Sequence, residues 1–462
     1  MGSIKFGTDG WRAVIAEDFT FSNLKAVAQA VADYIKKNFK HNSSIALGYD
    51  GRFLSKEFAY AAAEVFSANN IKVFLSAELI PTPLVSFITK TRGLSLGVMI
   101  TASHNPYRFN GFKIKKATGG AADKAVTNEV ERLLFRTKVK SVSRPSLLKI
   151  ENFSPSYIKF IRSYIDLSRC RSMKLKILVD LMHGSGGYFL KEVFKNNKNI
   201  QIDYLRDDFN PSFGGTSPEP LPKNLKPLIE KMKGSSYDLG IALDGDGDRI
   251  ACVLPGGRFL SAQVLLPLLA LHLADNRKLS GGIVKTVVGS NLIDKVALSL
   301  GRILYETPVG FKYISSLFEK EDILIGGEEA GGIGFKNYIP ERDGNVAAAL
   351  LVEYMSYEKK PLVRLVQDME KRFGRWYYDK TSIPIARVKH FSLTKIKAPS
   401  AILKERVERI NKIDGVKFIT KSSWLMFRAS GTEPIVRVYA EARSLPRTKK
   451  LLELGKSIIY AL

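Results

Sequence analysis

The chain runs to 462 residues, a length that holds about three or four domains at roughly 100–200 residues each. Hydrophobic residues make up 45% of it and charged residues 25%, ordinary globular usage that excludes disordered and fibrous classes. The 71 Lys and Arg outnumber the 45 Asp and Glu and leave a net charge of +26, which points to an anionic partner: nucleic acid, acidic lipid or a phosphorylated metabolite.

From the N-terminus, Ser3-Ile4-Lys5-Phe6 lacks the apolar core of a signal peptide, and Phe6 stands where a myristoylation signal needs Ser or Thr. Residues 21–37 have helical spacing and are followed by a strand at 44–49. Residues 59–68 read as helix again and 71–75 as strand. This alternation predicts parallel α/β layers rather than a sandwich or a helix bundle. Three times, a short apolar strand then runs into a small polar loop. Residues 94–100 lead into Thr101-Ala102-Ser103-His104-Asn105-Pro106, residues 239–243 into Asp244-Gly245-Asp246-Gly247-Asp248-Arg249, and residues 323–325 into Gly326-Gly327-Glu328-Glu329-Ala330-Gly331-Gly332. Ligands of open α/β sheets bind beyond the carboxyl ends of the strands, so each loop lies where a site belongs. Their separation of about 80–145 residues puts one loop in each domain.

The longest apolar run, 264–273, is too short to span a bilayer and contains Pro267 and His272. Cys170 and Cys252 are too few for a disulfide framework and read as small apolar residues in a reducing compartment. The expectation is a soluble, cytoplasmic protein with no membrane contact. Polar or Pro-containing stretches near 141–146, 254–257 and 371–375 divide the chain into 1–145, 146–254, 255–370 and 371–462. The last part has 21 basic against 7 acidic residues, more than half of the basic surplus, and carries a fourth loop, Arg428-Ala429-Ser430-Gly431-Thr432-Glu433-Pro434.

Asp244, Asp246 and Asp248, spaced by glycines, crowd three carboxylates together. That is costly unless a cation neutralises them, and all-oxygen ligation suits Mg²⁺ or another hard ion. An EF-hand is excluded, because Arg249 replaces its Gly and Pro255 its closing Glu. Ser103 in a tight loop reads alone as a turn residue; beside a bound dication it can carry or transfer a phosphoryl group. Lys113 can act as a base where nearby cations depress its pKa, and is otherwise a solvated charge. The Arg428 loop offers a guanidinium, two hydroxyls and flexible backbone, a set that matches a phosphate, or else an ordinary turn. Glu328 on its glycine-rich frame is suited to accept hydrogen bonds from sugar hydroxyls, and the stretch from Thr307 through Gly310 to Lys312 can contact the same ligand. His183-Gly184-Ser185-Gly186-Gly187 imitates a dinucleotide fingerprint, but Phe189 occupies the third glycine position, leaving a strand-to-helix turn.

These loops, in this order, resemble the α-D-phosphohexomutase superfamily, from Gly7-Thr8-Asp9-Gly10-Trp11-Arg12 to the Arg428 loop. The resemblance implies an α/β protein of four domains: three similar α/β domains with mixed sheets and a C-terminal α+β domain, around a central cleft. It implies that Ser103 is phosphorylated in the active enzyme and that Asp244, Asp246 and Asp248 ligate Mg²⁺ together with a phosphoserine oxygen. Arg12, His104, Lys113 and Arg249 then belong to the catalytic group around the phosphoserine, with Lys113 as general base. Glu328, Thr307, Gly310, Lys285 and Arg342 fall to the substrate, and Arg428, Ser430, Gly431, Thr432 and Arg437 to its non-reacting phosphate. The implied activity is reversible exchange of hexose 1-phosphate and hexose 6-phosphate, of glucose and also mannose. It passes through a 1,6-bisphosphate, with glucose 1,6-bisphosphate or a like compound as activator and a monomer or homodimer as the working unit.

Trp11, the Thr307–Lys312 stretch and Pro340-Glu341-Arg342-Asp343-Gly344 resemble the phosphoglucomutase and phosphomannomutase branches. Two departures stand out: Ala330 replaces the family's usual Ser in the sugar loop, and Gly332 replaces a His that some branches use as proton donor, leaving Arg342 or a water for that role. Phosphoglucosamine mutase and a relative that forms sugar bisphosphates are the alternatives within the family. A polyanion-binding protein using the basic last part is the alternative outside it, although no nucleic-acid module is recognisable.

Overall fold

The computed structural model of the chain describes residues 4–7, 9–39, 43–142, 146–385, 392–430 and 434–461. In the first domain β1 (Trp11–Val14), α1 (Phe21–Asn38), β2 (Ser44–Tyr49), α2 (Ser55–Ala68), β3 (Lys72–Ser76), α3 (Thr82–Thr91), β4 (Leu96–Ile100), β5 (Phe109–Lys116), α4 (Lys124–Leu133) and β6 (Leu148–Glu151) follow one another. The sheet order is β1-β5-β4-β2-β3-β6. β2 and β4 are buried at every position, as apolar strands covered on both faces must be. β6 pairs in parallel with β3, so the first sheet runs past position 145.

The second domain contains α5 (Ser154–Tyr164), β7 (Leu175–Asp180), α6 (Phe189–Phe194), β8 (Ile200–Leu205), α7 (Lys226–Lys233), β9 (Leu239–Leu243), β10 (Ile250–Val253) and β11 (Phe259–Leu260), with sheet order β11-β10-β9-β7-β8. The third contains α8 (Ala262–Leu271), β12 (Gly282–Thr286), α9 (Asn291–Ser299), β13 (Leu304–Thr307), α10 (Phe311–Lys320), β14 (Ile323–Gly327), β15 (Ile333–Phe335), α11 (Gly344–Glu358) and α12 (Leu362–Phe373), with order β13-β12-β14-β15. One feature recurs in all three sheets. β4, β9 and β14 each pair in parallel with one neighbour and antiparallel with the strand that follows them. Each polar loop therefore occupies the same topological position, at the carboxyl end of the parallel strand that borders the antiparallel part of its sheet.

The fourth domain is built differently, from β16 (Tyr377–Pro384), β17 (Ala401–Ile402), β18 (Glu405–Arg406), β19 (Arg409–Asn411), β20 (Val416–Ile419), β21 (Ser423–Ala429), β22 (Ile435–Ala442) and α13 (Leu445–Tyr460). Its five-stranded sheet, β16-β22-β21-β20-β19, is antiparallel throughout. A single apolar core runs through the second and third domains and takes in Leu84, Val85 and Ile88 of α3 from the first. The fourth domain keeps its own core. It meets the third through a small apolar patch of Val287, Val288, Trp424, Met426 and Tyr439. Both cysteines are free and buried, and no described helix is long and apolar enough to cross a membrane.

Candidate active site

β4 delivers Thr101 and Ser103 into a loop whose turns are closed by Asn105 N–H on the Ala102 carbonyl and by Phe109 N–H on that of Pro106. Ser103 is buried and has a φ of 54°, a left-handed backbone that is uncommon for a residue with a β-carbon. Its Oγ donates to Asp244 Oδ2 at 3.1 Å and lies 3.3 Å from His104 Nδ1. The serine loop of the first domain and the aspartate loop of the second are thus in contact. Gly245 makes that approach possible, since a β-carbon there would lie 2.5 Å from the Ser103 carbonyl oxygen.

Asp244, Asp246 and Asp248 are buried, with one carboxylate oxygen from each lying within 4.8 Å of the others. Asp244 Oδ1 accepts the backbone N–H groups of Asp248 and Arg249, each at 3.0 Å, which folds the loop around it. Asp246 Oδ2 accepts from the Thr82 hydroxyl at 2.5 Å and from Lys113 Nζ at 2.7 Å. Asp246 Oδ1 and Asp248 Oδ1 are buried without a hydrogen-bond partner among the described residues. Burial and the neighbouring charges of Asp248 and Asp246 push Asp244 well above the usual carboxylate range. Two orphaned oxygens in a crowded all-oxygen donor set fit a hard dication, which would satisfy both and relieve the repulsion.

A basic ring surrounds this acid cluster. Lys113, on β5, gives its ammonium to Asp246, to Asp9 at 2.8 Å and to Asp248 at 3.1 Å. Burial alone would lower its pKa, but the charges of Asp246, Asp248 and Asp9 outweigh burial and raise it. This corrects the expectation of a depressed, base-like Lys113: here three carboxylates hold it protonated. Arg12 donates to Asn105 Oδ1 at 2.7 Å and so reaches the serine loop. Arg249 Nε stands 3.9 Å from both Asp244 and Asp248, and its backbone bridges to Gly332 of the Glu328 loop. His104 is held neutral, its pKa driven well down by burial and by the charges of Arg249, Arg12 and Lys113.

Arg342 ties three domains together. Its guanidinium donates to Asp9 at 2.5 Å and to Glu328 at 2.9 Å, and pairs with Asp248 at 2.9 Å. Burial disfavours its charge, yet Asp248, Asp9 and Glu328 overcome that and hold the proton firmly. The proton-donor role left open for Arg342 is therefore not supported; it is a fixed charge. Gly332 is required for the same reason, because a β-carbon there would lie 2.4 Å from Arg342 Cδ. Glu328 is buried, which raises its pKa, while Arg342 pulls it back.

Lys285 pairs within the chain: β12 aligns it with Gly327 next to the Glu328 loop, and its buried ammonium is held by Asp294 and lies 3.7 Å from Glu306. Thr307 ends β13, and Gly310, at φ 131°, precedes α10. The adjoining Val309 N–H donates to Asp414 at 3.0 Å, and the same carboxylate oxygen accepts from Arg428 Nε at 2.7 Å. The fourth-domain loop is thereby tied to the third domain. Arg428 and Arg437 face each other across β21 and β22, and Ser430 N–H donates to the Ile435 carbonyl. Gly431 and Thr432 lie outside the described residues.

Several residues that complete the site have no local signal. Asp9 carries none beyond its place in the N-terminal motif, and Thr82 contacts an aspartate 164 positions away. Asp414 sits in a plain Lys-Ile-Asp-Gly turn. Asp50 and Arg52 could have been found, because Asp50-Gly51-Arg52 directly follows the apolar strand β2, as the other loops follow theirs.

Residues 3–140, 155–257 and 262–373 match the α/β/α domains I, II and III of phosphoglucomutase/phosphomannomutase, and residues 389–454 match the C-terminal domain of the same family. Four matches in that order, on this fold, define a sugar-phosphate mutase of the isomerase class. The chain belongs to the α-D-phosphohexomutase superfamily. It is 28% identical to a phosphoglucomutase/phosphomannomutase of Thermococcus kodakarensis, over 99% of each chain. It is equally 28% identical to a phosphoglucosamine/phosphogalactosamine mutase of Sulfurisphaera tokodaii, again over 99% of each. A crystal structure from Thermus thermophilus, assigned as a phosphomannomutase, superposes with a TM-score of 0.89 at 32% identity, over 99% of each chain.

Proposed function

We propose that the chain interconverts hexose 1-phosphates and hexose 6-phosphates, of glucose and also mannose, through a phosphorylated Ser103. The observation that carries this reading is Ser103 Oγ at 3.1 Å from Asp244, inside a buried aspartate triad ringed by Arg12, Lys113 and Arg249. Asp244, Asp246 and Asp248 would hold Mg²⁺, which when bound supplies charge neutralisation for the phosphoryl group. Phosphoryl transfer depends mainly on positioning and electrostatics, and the remaining work falls to the chain.

A free hydroxyl of the sugar attacks the phosphorus of phosphoserine. The new P–O bond forms as the P–Oγ bond breaks, leaving a hexose 1,6-bisphosphate and the serine. The attacking hydroxyl gives up a proton and the departing Ser103 oxygen takes one, so a single relay group suffices. Neutral His104, 3.3 Å from that oxygen, can be this relay if one ring nitrogen takes the sugar's proton as the other gives its own to the Ser103 oxygen. Lys113 can take it from the sugar only once Asp246 and Asp248 are engaged elsewhere, because those charges keep it protonated. Glu328 would orient the sugar by accepting its hydroxyls, and Arg428 with its loop would grip the phosphate that is not reacting. The bisphosphate, turned end for end, then returns its other phosphate to Ser103, which is why a bisphosphate primes the enzyme.

A phosphoglucosamine mutase is the second reading, favoured by the equal identity to the Sulfurisphaera relative. One experiment separates the two and tests the scheme: intact-mass analysis of the purified protein, with activity on glucose, mannose and glucosamine 1-phosphates. The expected results are one added phosphate on the wild type, none on Ser103→Ala, and conversion of glucose 1-phosphate in preference to glucosamine 1-phosphate. A fully active Ser103→Ala would end the phosphoserine scheme, and a preference for glucosamine 1-phosphate would favour the second reading.

A further inference from the structure

We infer that Arg52, working with Asp50, is a positioning residue for the nucleophile, holding both peptide groups of Ser103 in the one orientation from which its oxygen can give and take a phosphoryl group. The inference rests on the reading of Ser103 as the phosphoryl carrier. It stands on the bonds that converge behind the serine loop. Arg52 Nη2 donates to the carbonyls of Ser103 at 2.5 Å and Asn105 at 2.8 Å. Nη1 donates to those of Pro106 and Phe109, each at 3.0 Å. Nε donates to Asp50 Oδ2 at 3.0 Å, and the guanidinium plane lies over the Phe213 ring at 4.8 Å. The side chain is buried, so its donors are committed to this loop.

Asp50 closes the circuit from the other side. Its Oδ2 accepts from the Thr101 hydroxyl at 2.5 Å, and that hydroxyl accepts the N–H of Ser103 at 2.9 Å. Its Oδ1 accepts from the Ser55 hydroxyl at 2.8 Å and from the backbone N–H of Arg52 at 3.1 Å. The N–H and C=O of Ser103 are therefore both referred to one ion pair. That fixation matters because the residue sits at φ 54°, which a side chain with a β-carbon leaves unless its surroundings forbid it. A planar fork with five N–H donors can hold four carbonyls at once; a lysine ammonium, with three donors at a single point, cannot.

The mutase cycle asks the same oxygen to act first as leaving group and then as acceptor. A loop that wandered by about 1 Å would lose on the order of 10²-fold in each direction, and would open the phosphoserine to water. Arg52→Lys keeps the charge and removes the fork. The expected result is a kcat roughly 100-fold lower with KM within about threefold of wild type. The phosphate mass of the purified protein, incubated without substrate, should also be lost faster. Thr101→Val, which removes the hydroxyl linking Asp50 to the Ser103 N–H and leaves the Arg52 fork in place, should shift both quantities the same way by about tenfold. A folded Arg52→Lys with wild-type kcat and phosphate lifetime would overturn the inference. Should Arg52→Lys not fold, an unchanged kcat and lifetime in Thr101→Val would do so. A purely structural role predicts a lower melting temperature with an unchanged phosphate lifetime, and that result also counts against positioning. If instead the wild type carries no phosphate, or Ser103→Ala is active, the phosphoserine reading fails and the inference falls with it; phosphorylated wild type beside normal Arg52 and Thr101 variants sinks the inference alone.

Discussion

At the residue scale, Gly332 shows how an absence in the sequence becomes a feature of the site. Some branches of the family have a His where this chain has Gly332; here the space above it is filled by the Arg342 side chain. Arg342 uses that space to reach Asp9, Asp248 and Glu328 together. Adding a single methyl group, Gly332→Ala, forces the guanidinium out of at least one of these pairs. A buried charge-assisted hydrogen bond is worth about 1.5–3 kcal/mol, so kcat/KM should fall roughly ten- to hundredfold. Steady-state kinetics on the preferred hexose 1-phosphate checks this, and an unchanged kcat/KM would mean that Arg342 has another place to go. The aspartate triad was legible in the sequence because its three carboxylates lie within five residues of one another. The state of Lys113 was not, because two of its three partners lie more than 130 positions away; local sequence cannot say whether a lysine will meet cations or carboxylates.

At the element scale, the strand-to-loop pattern was readable because it depends on local hydrophobicity alone. Its three instances fell at the ends of β4, β9 and β14, the same position in three sheets. The pairing that makes those positions equivalent joins distant segments and had to be observed. So did the support beneath α11. Asp343 caps that helix, its Oδ1 accepting the N–H groups of Asn345 and Val346, while its Oδ2 accepts from the hydroxyls of Tyr157 at 2.6 Å and Tyr338 at 2.8 Å. Burial pushes its pKa up to about 6, against the lowering effect of these hydrogen bonds. A carboxyl group whose folded pKa is raised contributes stability that is fully present below the unfolded value and is lost as pH rises through the folded one. The wild-type chain should therefore lose about 1 kcal/mol of stability relative to Asp343→Asn between pH 5 and pH 7. Urea titrations of both proteins at the two pH values give the difference directly. A difference that stays constant would mean that Asp343 does not titrate in this range.

At the scale of the whole molecule, the surplus of +26 divides into two populations that behave differently toward salt. Arg12, Lys113, Arg249 and Arg342 face a buried carboxylate cluster, where screening by dissolved ions is weak. The last domain adds charges that stand in solvent, such as Lys449 and Lys450 on α13, which are exposed. Charges of that kind raise the local concentration of an anionic substrate only through the long-range field, and they are screened over about 10 Å at 0.1 M salt. A mutase with this layout should show a KM for sugar phosphate that rises several-fold between about 0.05 and 0.5 M NaCl while kcat holds. The double variant Lys449→Gln/Lys450→Gln should keep a KM within about twofold of wild type at either salt level. A polyanion-binding function would respond differently. Its affinity for a polyanion such as heparin would fall as a steep power of salt concentration, and neutralising two contacting lysines would reduce that slope by close to two. Measuring KM and heparin affinity on the same two proteins across the same salt series decides between them. If the lysine pair governs a steep, salt-sensitive affinity for heparin and leaves KM untouched, the basic surface of the last domain serves a polyanion, separately from the chemistry at Ser103.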